Sequence, residues 1–236
     1  IMVRLVKGAY WDTEIKRAQV EGIDGFPVFT QKAATDVSYI SNARKLLGMT
    51  DRIYPQFATH NAHTVAAVLH MAQDKESFEF QRLHGMGETL HTLVMKDNGT
   101  RCRIYAPVGA HRDLLAYLVR RLLENGANSS FVNQIVDEDV PPEVVAADPF
   151  EQLGQPTNLT IAKGPDVFAP TRANARGFDL THTQTLDEIE KARAPFKNGT
   201  WEAAPLLAGK AKPEAPVAVI NPADPDGSPG TVRNAS

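Results

Sequence analysis

A short apolar run followed by an amphipathic segment occurs four times within roughly the first 130 residues, and this repeat restricts the possible folds more than any other feature. The four apolar runs are predicted strands at residues 2–6, 53–58, 78–81 and 101–106. Alternating strands and helices are typical of parallel βα units. A closed (β/α)8 barrel needs about 250 residues, so four units amount to half of one. By pattern alone, a small doubly wound α/β sheet fits equally well.

Polar and aromatic residues gather directly after each predicted strand, at the edge where α/β folds build their sites. After the first strand, Lys7 and Gly8 precede Tyr10 and Trp11. A cation, a gap without a side chain and two aromatic faces suit a planar cofactor that carries phosphates, although such aromatic residues more often belong to a core. The other strand-end groups are Thr59-His60-Asn61, Leu83-His84-Gly85-Met86-Gly87 and Pro107-Val108-Gly109.

Arg4 lies inside the first apolar run, which we predict to be a strand buried on both faces. A buried cation needs a partner, such as a carboxylate, a phosphate or an electron-rich ring. Gln81 occupies a comparable position near the end of its strand. Both residues are therefore predicted to serve a site rather than a purely structural core.

Residues 104–131 contain the strongest helical pattern of the chain. The predicted helix has an apolar face made of Leu115, Leu118, Val119, Leu122 and Leu123. Its opposite, polar face carries Tyr117, Arg120, Arg121 and Glu124. Two adjacent arginines can hold a carboxylate or a phosphate through paired hydrogen bonds. Periodicity alone favours a simpler interpretation, in which the polar face is solvated and Arg120 pairs with Glu124.

His60 and His63, spaced HxxH, and His84 after the next strand are candidate metal ligands of a barrel hydrolase. No Asp or Glu at a predicted strand end joins them, and histidines at such positions more often cap a helix or form hydrogen bonds. We therefore predict no metal site and keep the metal-dependent hydrolase as an alternative. A further alternative is an inactive fragment, because half a barrel leaves strand edges exposed.

Charge and cysteine content exclude several classes of function. The net charge of -3 and the lack of a basic cluster predict no nucleic-acid site. The single cysteine, Cys102, excludes an internal disulfide and fits a reducing cytosol. No apolar run is long enough to span a membrane. The first residue, Ile1, already lies in a strand pattern, so we expect a piece of a longer protein.

The pattern changes after about residue 136. Residues 137–143 are acidic and broken by prolines, and the prolines that follow show no sustained period, which predicts a linker lying over the surface. A helix is predicted at 184–194, a strand at 217–220 and a turn at 221–227.

Four motifs in order carry a resemblance to a known family: RLVKGAYWDTEIKRAQ, YPQFATHNAHT, FEFQRLHGMGE and YAPVGAHRDLLAYLVRRLLENGANSSFV. Together they resemble the proline dehydrogenase domain of the proline utilization A family, whose fold is a (β/α)8 barrel that binds FAD. The resemblance implies the C-terminal half of that barrel at 1–135 and a linker at 136–178. VAVINPADPDGSPGTV resembles the opening of the family's aldehyde dehydrogenase-like domain, which implies an incomplete second domain at 179–236.

The resemblance also implies roles for individual residues. The catalytic residues would be Arg4, Tyr105, Arg120 and Arg121. The proline-binding residues would be Tyr10, Leu83, Tyr105, Tyr117, Arg120 and Arg121, with the polar face of the arginine helix turned towards the site. The FAD-binding residues would be Arg4, Val6, Lys7, Gly8, Trp11, Thr30, His60, Asn61, Gln81, Arg121, Glu124 and Phe131.

The implied activity is the FAD-dependent oxidation of L-proline to pyrroline-5-carboxylate. The parent would be a bifunctional enzyme whose second domain oxidises glutamate semialdehyde with NAD, with the NAD site outside this chain. The family further implies a quinone as electron acceptor and a cytoplasmic homo-oligomer that meets the inner membrane peripherally. The first half of the barrel, with its acidic and lysine partners near the substrate, is missing from the chain.

Overall fold

The structure, a computed structural model, describes residues 1–126, 139–154, 161–206, 208–209 and 212–235, with only the backbone described at 124–126. The chain divides into two compact units, Ile1–Gly177 and Phe178–Ser236. Each unit is described by itself below.

The first unit is built on a four-stranded sheet with the order β1-β2-β3-β4, in which every neighbouring pair is parallel. The strands are β1 (Met2–Val6), β2 (Tyr54–Ala58), β3 (Glu79–Leu83) and β4 (Cys102–Tyr105). The helices are α1 (Trp11–Val20), α2 (Lys32–Leu47), α3 (Ala62–Met71), α4 (Glu88–Asn98) and α5 (His111–Gly126). The parallel α/β architecture predicted from the repeat is therefore confirmed.

One face of this sheet is apolar and packs against the helices. Phe57 and Phe80, which are neighbours in register on β2 and β3, are fully buried on that face. Phe78 meets both of their rings edge to face, with centroids 5.6 and 5.4 Å away. The rest of the buried core cluster comes mainly from the helices: Tyr39, Ala43, Val65, Val68 and Val94. Because side chains alternate along a strand, the opposite face is left to Arg4, Gln56, Glu79, Gln81 and Arg103.

β1 forms as predicted, but the prediction that it is buried on both faces is wrong. Met2 and Val6 are 65% and 45% exposed, and Arg4 is also exposed. The reason is position in the sheet, since among the described strands β1 pairs with β2 alone and is an edge strand. An apolar run does not distinguish an edge strand from a central one.

The described residues between 139 and 177 pack onto the first unit. They include α6 (Pro142–Val145), α7 (Pro149–Gln152) and a 3-10 turn at Gly164–Asp166, and α7 packs against α2. The Gln19 side chain donates to the carbonyl of Ala162 at 2.8 Å, and the Gly177 amide donates to the carbonyl of Gly22 at 3.0 Å.

The second unit contains α8 (Thr183–Arg193) and a small sheet of β5 (Trp201–Ala203), β6 (Val217–Val219) and β7 (Gly230–Val232). β7 lies between the other two, parallel to β5 and antiparallel to β6. The helix and strand predicted from the sequence are both present. Among the residues that the structure describes, no helix has the length and apolar character needed to cross a membrane.

Candidate active site

The polar face of the sheet brings together three predicted site residues from three strands. The Arg4 Nε on β1 donates to Gln81 Oε1 on β3 at 2.8 Å. The Arg4 guanidinium also lies over the ring of Tyr105 on β4, 5.0 Å from its centroid. Arg4 is exposed rather than buried, and it is held by an aromatic ring, which was among the predicted kinds of partner, and by an amide oxygen, which was not.

Glu79 is a site residue that the sequence analysis missed. It lies two residues before Gln81 on β3 and is only 4% exposed. Its Oε1 accepts hydrogen bonds from Gln56 Nε2 at 2.8 Å, Gln81 Nε2 at 3.0 Å and Arg103 Nε at 2.6 Å, and its Oε2 accepts from Arg103 Nη2 at 2.9 Å. The hydrogen bonds from Arg103, with those from Gln81 and Gln56, hold the pKa of Glu79 below its usual value against the effect of burial. The available signal was a glutamate inside the aromatic run FEF, where an unpaired carboxylate is costly.

Lys7 does not point freely from the end of β1 as the sequence suggested. Its ammonium group forms a very short ion pair with Asp36 and donates to Thr64 Oγ1 at 3.2 Å. Burial lowers the pKa of Lys7, while Asp36 opposes that shift. Burial raises the pKa of Asp36, but Lys7 and Lys32 together lower it below its ordinary value. Asp36 and Thr64 are thus further residues that the sequence did not single out, since nothing in a helix pattern marks which polar positions face a strand end.

His60 is held by the backbone of the neighbouring strand. The Leu83 amide donates to His60 Nε2 at 3.1 Å, so this ring nitrogen is unprotonated. Burial lowers the pKa of His60 to about 4, with further contributions from His91, Arg121 and Arg82. The imidazole is therefore neutral near pH 7.

Asn61 begins the helix that follows β2. Its Oδ1 accepts a hydrogen bond from the Thr64 amide at 2.9 Å, so Asn61 is the N-cap of α3. A cofactor contact by Asn61 would use the remaining hydrogen-bonding groups of its amide.

α5 turns its polar face towards the protein. The apolar residues named above as one helix face are 44–72% exposed, whereas Tyr117, Arg120 and Arg121 are only partly accessible. The interpretation that periodicity alone favoured, a solvated arginine face, is therefore wrong. Amphipathicity identifies two faces but does not state which of them meets the rest of the fold.

The two arginines of α5 lie against tyrosine rings. The Arg120 guanidinium is 4.4 Å from the centroid of the Tyr10 ring and 6.0 Å from that of Tyr117. Arg121 lies 5.1 Å from the centroid of Tyr117. Within the part of the chain that the structure describes, the buried Nε of Arg120 has no hydrogen-bond partner. A guanidinium that is packed but not fully hydrogen-bonded is suited to an anionic ligand.

The remaining residues predicted for the site differ in how exposed they are. Leu83 is buried, Val6 and Tyr10 are about half exposed, and Thr30 is partly buried. The Trp11 Nε1 donates to the carbonyl of Phe29, next to Thr30, at 2.7 Å. A Cβ on Gly8 would meet nothing within 4 Å, so that stretch of backbone is open to a ligand. The side chain of Glu124 and the whole of Phe131 lie outside the described residues.

The sequence matches a known protein family over most of the first unit. The proline dehydrogenase family model matches residues 1–134, which is more than half of the chain. The chain belongs to the proline dehydrogenase family. The metal-dependent hydrolase is accordingly not supported, and among the described residues no group of three or more potential metal ligands is found.

The relatives in the proline dehydrogenase family are longer than this chain. The bifunctional protein PutA of Klebsiella aerogenes is 48% identical over 261 aligned residues, which cover 100% of this chain and 19% of the relative. The bifunctional protein PutA of Rhizobium meliloti is 50% identical over 236 residues, covering 95% of this chain and 19% of the relative. Proline dehydrogenase 1 of Bacillus subtilis is 31% identical over 134 residues, covering 55% of this chain and 39% of that protein.

Solved structures of the same family share the fold. A crystal structure of bifunctional proline utilization A matches with a TM-score of 0.78 and 53% identity, over 89% of this chain and 21% of that one. The protein from Bdellovibrio bacteriovorus, inactivated by N-propargylglycine, matches with a TM-score of 0.74 and 34% identity, over 98% of this chain and 24% of that one. The chain thus spans about a fifth of the length of the curated bifunctional relatives that it matches.

Proposed function

We propose that this chain forms part of a flavin-dependent proline dehydrogenase that oxidises L-proline to pyrroline-5-carboxylate. The observation that carries the proposal is the arginine pair of α5, packed on tyrosine rings, with Arg120 Nε left without a hydrogen-bond partner among the described residues. Proline has one carboxylate and an otherwise apolar ring. Two guanidinium groups beside aromatic walls provide a matching grip on the carboxylate and fix the orientation of the ring.

The substrate pocket follows from the residues around the arginine pair. Arg120 and Arg121 bind the carboxylate, and the ring of proline lies among Tyr10, Leu83, Tyr105 and Tyr117. These apolar and aromatic groups come from β3, β4, α5 and the segment after β1. Excluding water from the ring carbon that loses hydride favours transfer to an acceptor over competing reactions.

The residues at the strand ends fit FAD. The open backbone at Gly8 and the exposed cation of Arg4, held in place by Gln81 and Tyr105, suit close approach of a flat ring system that gains negative charge on reduction. When bound, FAD supplies the acceptor for hydride from the carbon next to the proline nitrogen. We assign its binding to Arg4, Val6, Lys7, Gly8, Trp11, Thr30, His60, Asn61, Gln81, Arg121, Glu124 and Phe131. Arg4 contributes a positive charge that stabilises negative charge on the reduced cofactor.

The proposal extends to a larger protein. The likeness to proteins named as bifunctional supports a parent in which 1–135 is the C-terminal half of the barrel, 136–178 a linker and 179–236 the start of an aldehyde dehydrogenase-like domain that uses NAD. In that parent a quinone accepts the electrons. The parent is proposed to be a cytoplasmic homo-oligomer that meets the inner membrane peripherally.

A visible absorption spectrum tests the proposed function. We expect the purified protein with added FAD to retain flavin absorbance that bleaches when proline is added under anaerobic conditions. Flavin absorbance that proline does not bleach would contradict proline oxidation. Protein that retains no flavin would show that this chain alone lacks a working cofactor site.

Substitution of Arg121 tests the assignment of the carboxylate site. Arg121→Met is expected to raise the Kd for proline at least tenfold, the size of losing a charged hydrogen bond, and to change the Kd for FAD much less. Arg112→Met is the matched control, because Arg112 lies on the same helix with its side chain 95% exposed. Equal losses of proline and FAD binding in Arg121→Met would contradict the assignment.

A further inference from the structure

Glu79 lies at the centre of the polar face of the sheet, two residues before Gln81 on the same face of β3. It receives four hydrogen bonds from three side chains on β2, β3 and β4, namely Gln56, Gln81 and Arg103. At 4% exposure it is among the most deeply buried charged groups of the described chain. No step of the proposed reaction uses it directly, and the four hydrogen bonds above go to side chains outside the proposed carboxylate grip.

The geometry of Gln81 shows what Glu79 does. The Gln81 amide donates through Nε2 to Glu79 and accepts through Oε1 from Arg4. An amide can turn over and exchange its oxygen and nitrogen ends. With Glu79 below it, the turned-over amide would direct its oxygen at a carboxylate and its NH2 group at a guanidinium. Both contacts would be repulsive, so Glu79 fixes the end of the amide that faces Arg4.

Arg103 keeps Glu79 ionised, which is the form that fixes the orientation of the Gln81 amide. Its two hydrogen bonds, at 2.6 and 2.9 Å, run side by side to both carboxylate oxygens. They favour the ionised form, and an ionised carboxylate can only accept hydrogen bonds. A protonated Glu79 would be able to donate a hydrogen bond to the Gln81 amide oxygen, so the turned-over amide would no longer be disfavoured at that end.

We propose that Glu79 is a positioning residue for the flavin site, acting through the Gln81 amide to hold the Arg4 guanidinium against the Tyr105 ring. This inference rests on the proposed function, in which Arg4 and Gln81 contact FAD. The chain of contacts runs from Arg103 through Glu79 and Gln81 to Arg4, across three of the four strands. Arg4 lies on an exposed edge strand, so this chain of contacts is what orders its side chain.

The first test measures Arg4 without any cofactor. In the purified full-length protein, the NMR signal of the Arg4 Nε–H is expected to exchange slowly with water because Gln81 accepts its proton. Glu79→Gln preserves shape and removes the charge, and it is expected to speed that exchange about tenfold, in the range found for residues coupled in one network. Glu88→Gln is the control, since Glu88 is an exposed carboxylate on α4. Unchanged exchange in Glu79→Gln would overturn the proposal, whatever the function.

The second test measures the consequence in the FAD-loaded enzyme. Glu79→Ala and Glu79→Gln are expected to lower kcat for proline about tenfold and to lower the flavin midpoint potential, while KM changes less. In a Gln81→Ala background the same substitutions are expected to add less than about twofold, because the connection to Arg4 is already lost. If the Glu79 substitutions lower kcat by the same factor with and without Gln81, Glu79 has only a structural role. If Arg4 exchange responds as expected but the protein shows no proline oxidation, the proposed function fails and the positioning of Arg4 by Glu79 stands.

Discussion

At the scale of single residues, the cations of this site differ in how many of their hydrogen-bond donors are already taken by protein groups. Arg120 illustrates this, because two tyrosine rings fix its guanidinium while its Nε has no hydrogen-bond partner among the described residues. Cation–π contacts hold a cation in place without consuming its donors. Lys7 is the opposite case, since Asp36 and Thr64 already occupy its ammonium group. The Lys7 side chain therefore ties the end of β1 to α2 and α3.

His60 predicts a pH dependence of stability. Burial lowers its pKa to about 4, whereas an unfolded histidine titrates near 6.5. Below about pH 6.5 the unfolded chain binds a proton that the folded chain does not, so His60 lowers the free energy of unfolding as the pH falls. Between pH 7 and pH 5 we expect His60 to account for a loss of about 1–2 kcal/mol. Urea unfolding at several pH values measures it.

A pair of variants isolates the contribution of His60. His60→Gln is expected to flatten the pH dependence of the unfolding free energy between pH 7 and pH 5. Some slope should persist, because burial also lowers the pKa of His91. His70→Gln is the control, since His70 is exposed on α3. A slope in His60→Gln as steep as in the unsubstituted protein would contradict the neutral, backbone-bonded state of His60.

At the scale of whole elements, the ends of helices form the site as much as the strands do. α3 begins at Asn61, whose side chain caps it, and α4 begins after Gly87, which has a φ of +63°. The two turns meet at His60, because a Cβ on Gly87 would lie 3.0 Å from His60 Cδ2. The glycine therefore allows the turn before α4 to pack closely on the histidine after β2.

Gly87→Ala tests this close approach. We expect it to cost about 1–2 kcal/mol from the left-handed backbone, with a further cost from the contact with His60. Gly99→Ala is a matched control, since Gly99 has a φ of +65° and a Cβ there would meet nothing within 4 Å. Urea unfolding of both variants measures the difference. Equal losses would show that the contact with His60 contributes nothing to stability.

At the scale of the whole molecule, the first unit extends well past the sheet, to Gly177. Gly22 is one point where the later segment meets the early one, with a φ of +68° and its carbonyl bonded to the Gly177 amide. A Cβ at Gly22 would collide with the carbonyl oxygen of Ala175. The segment that ends at Gly177 is thus held by a contact between two stretches of backbone.

Gly22→Ala is expected to release that segment. Tryptic cleavage after Arg172 and Arg176 should become about tenfold faster, because local opening then costs less free energy. Mass spectrometry of the fragments identifies the sites. Gly99→Ala again serves as the control for left-handed backbone strain without a collision. Cleavage at the same rate in all three proteins would show that the Gly22 contact does not hold the segment.

Much of the fold was predictable because it depends on local pattern. The four strands, with helices between them, follow from apolar periodicity, and the observed bounds of the strands lie within about two residues of those predicted. The location of Tyr10 and His60 after strand ends followed from the rule that parallel strands present their carboxyl ends together, whereas Gln81 lies in the middle of β3.

Tertiary structure alone decided which partner each polar group has. The sequence marked Arg4 and Gln81 as unusual, but their hydrogen bond joins residues 77 positions apart. Asp36 and Glu79 went unnoticed because ion pairs with Lys7 and Arg103 depend on which strands and helices become neighbours. The orientation of α5 was likewise undetermined by its periodicity. A sequence pattern specifies the faces of an element, and only the packing of elements determines what each face meets.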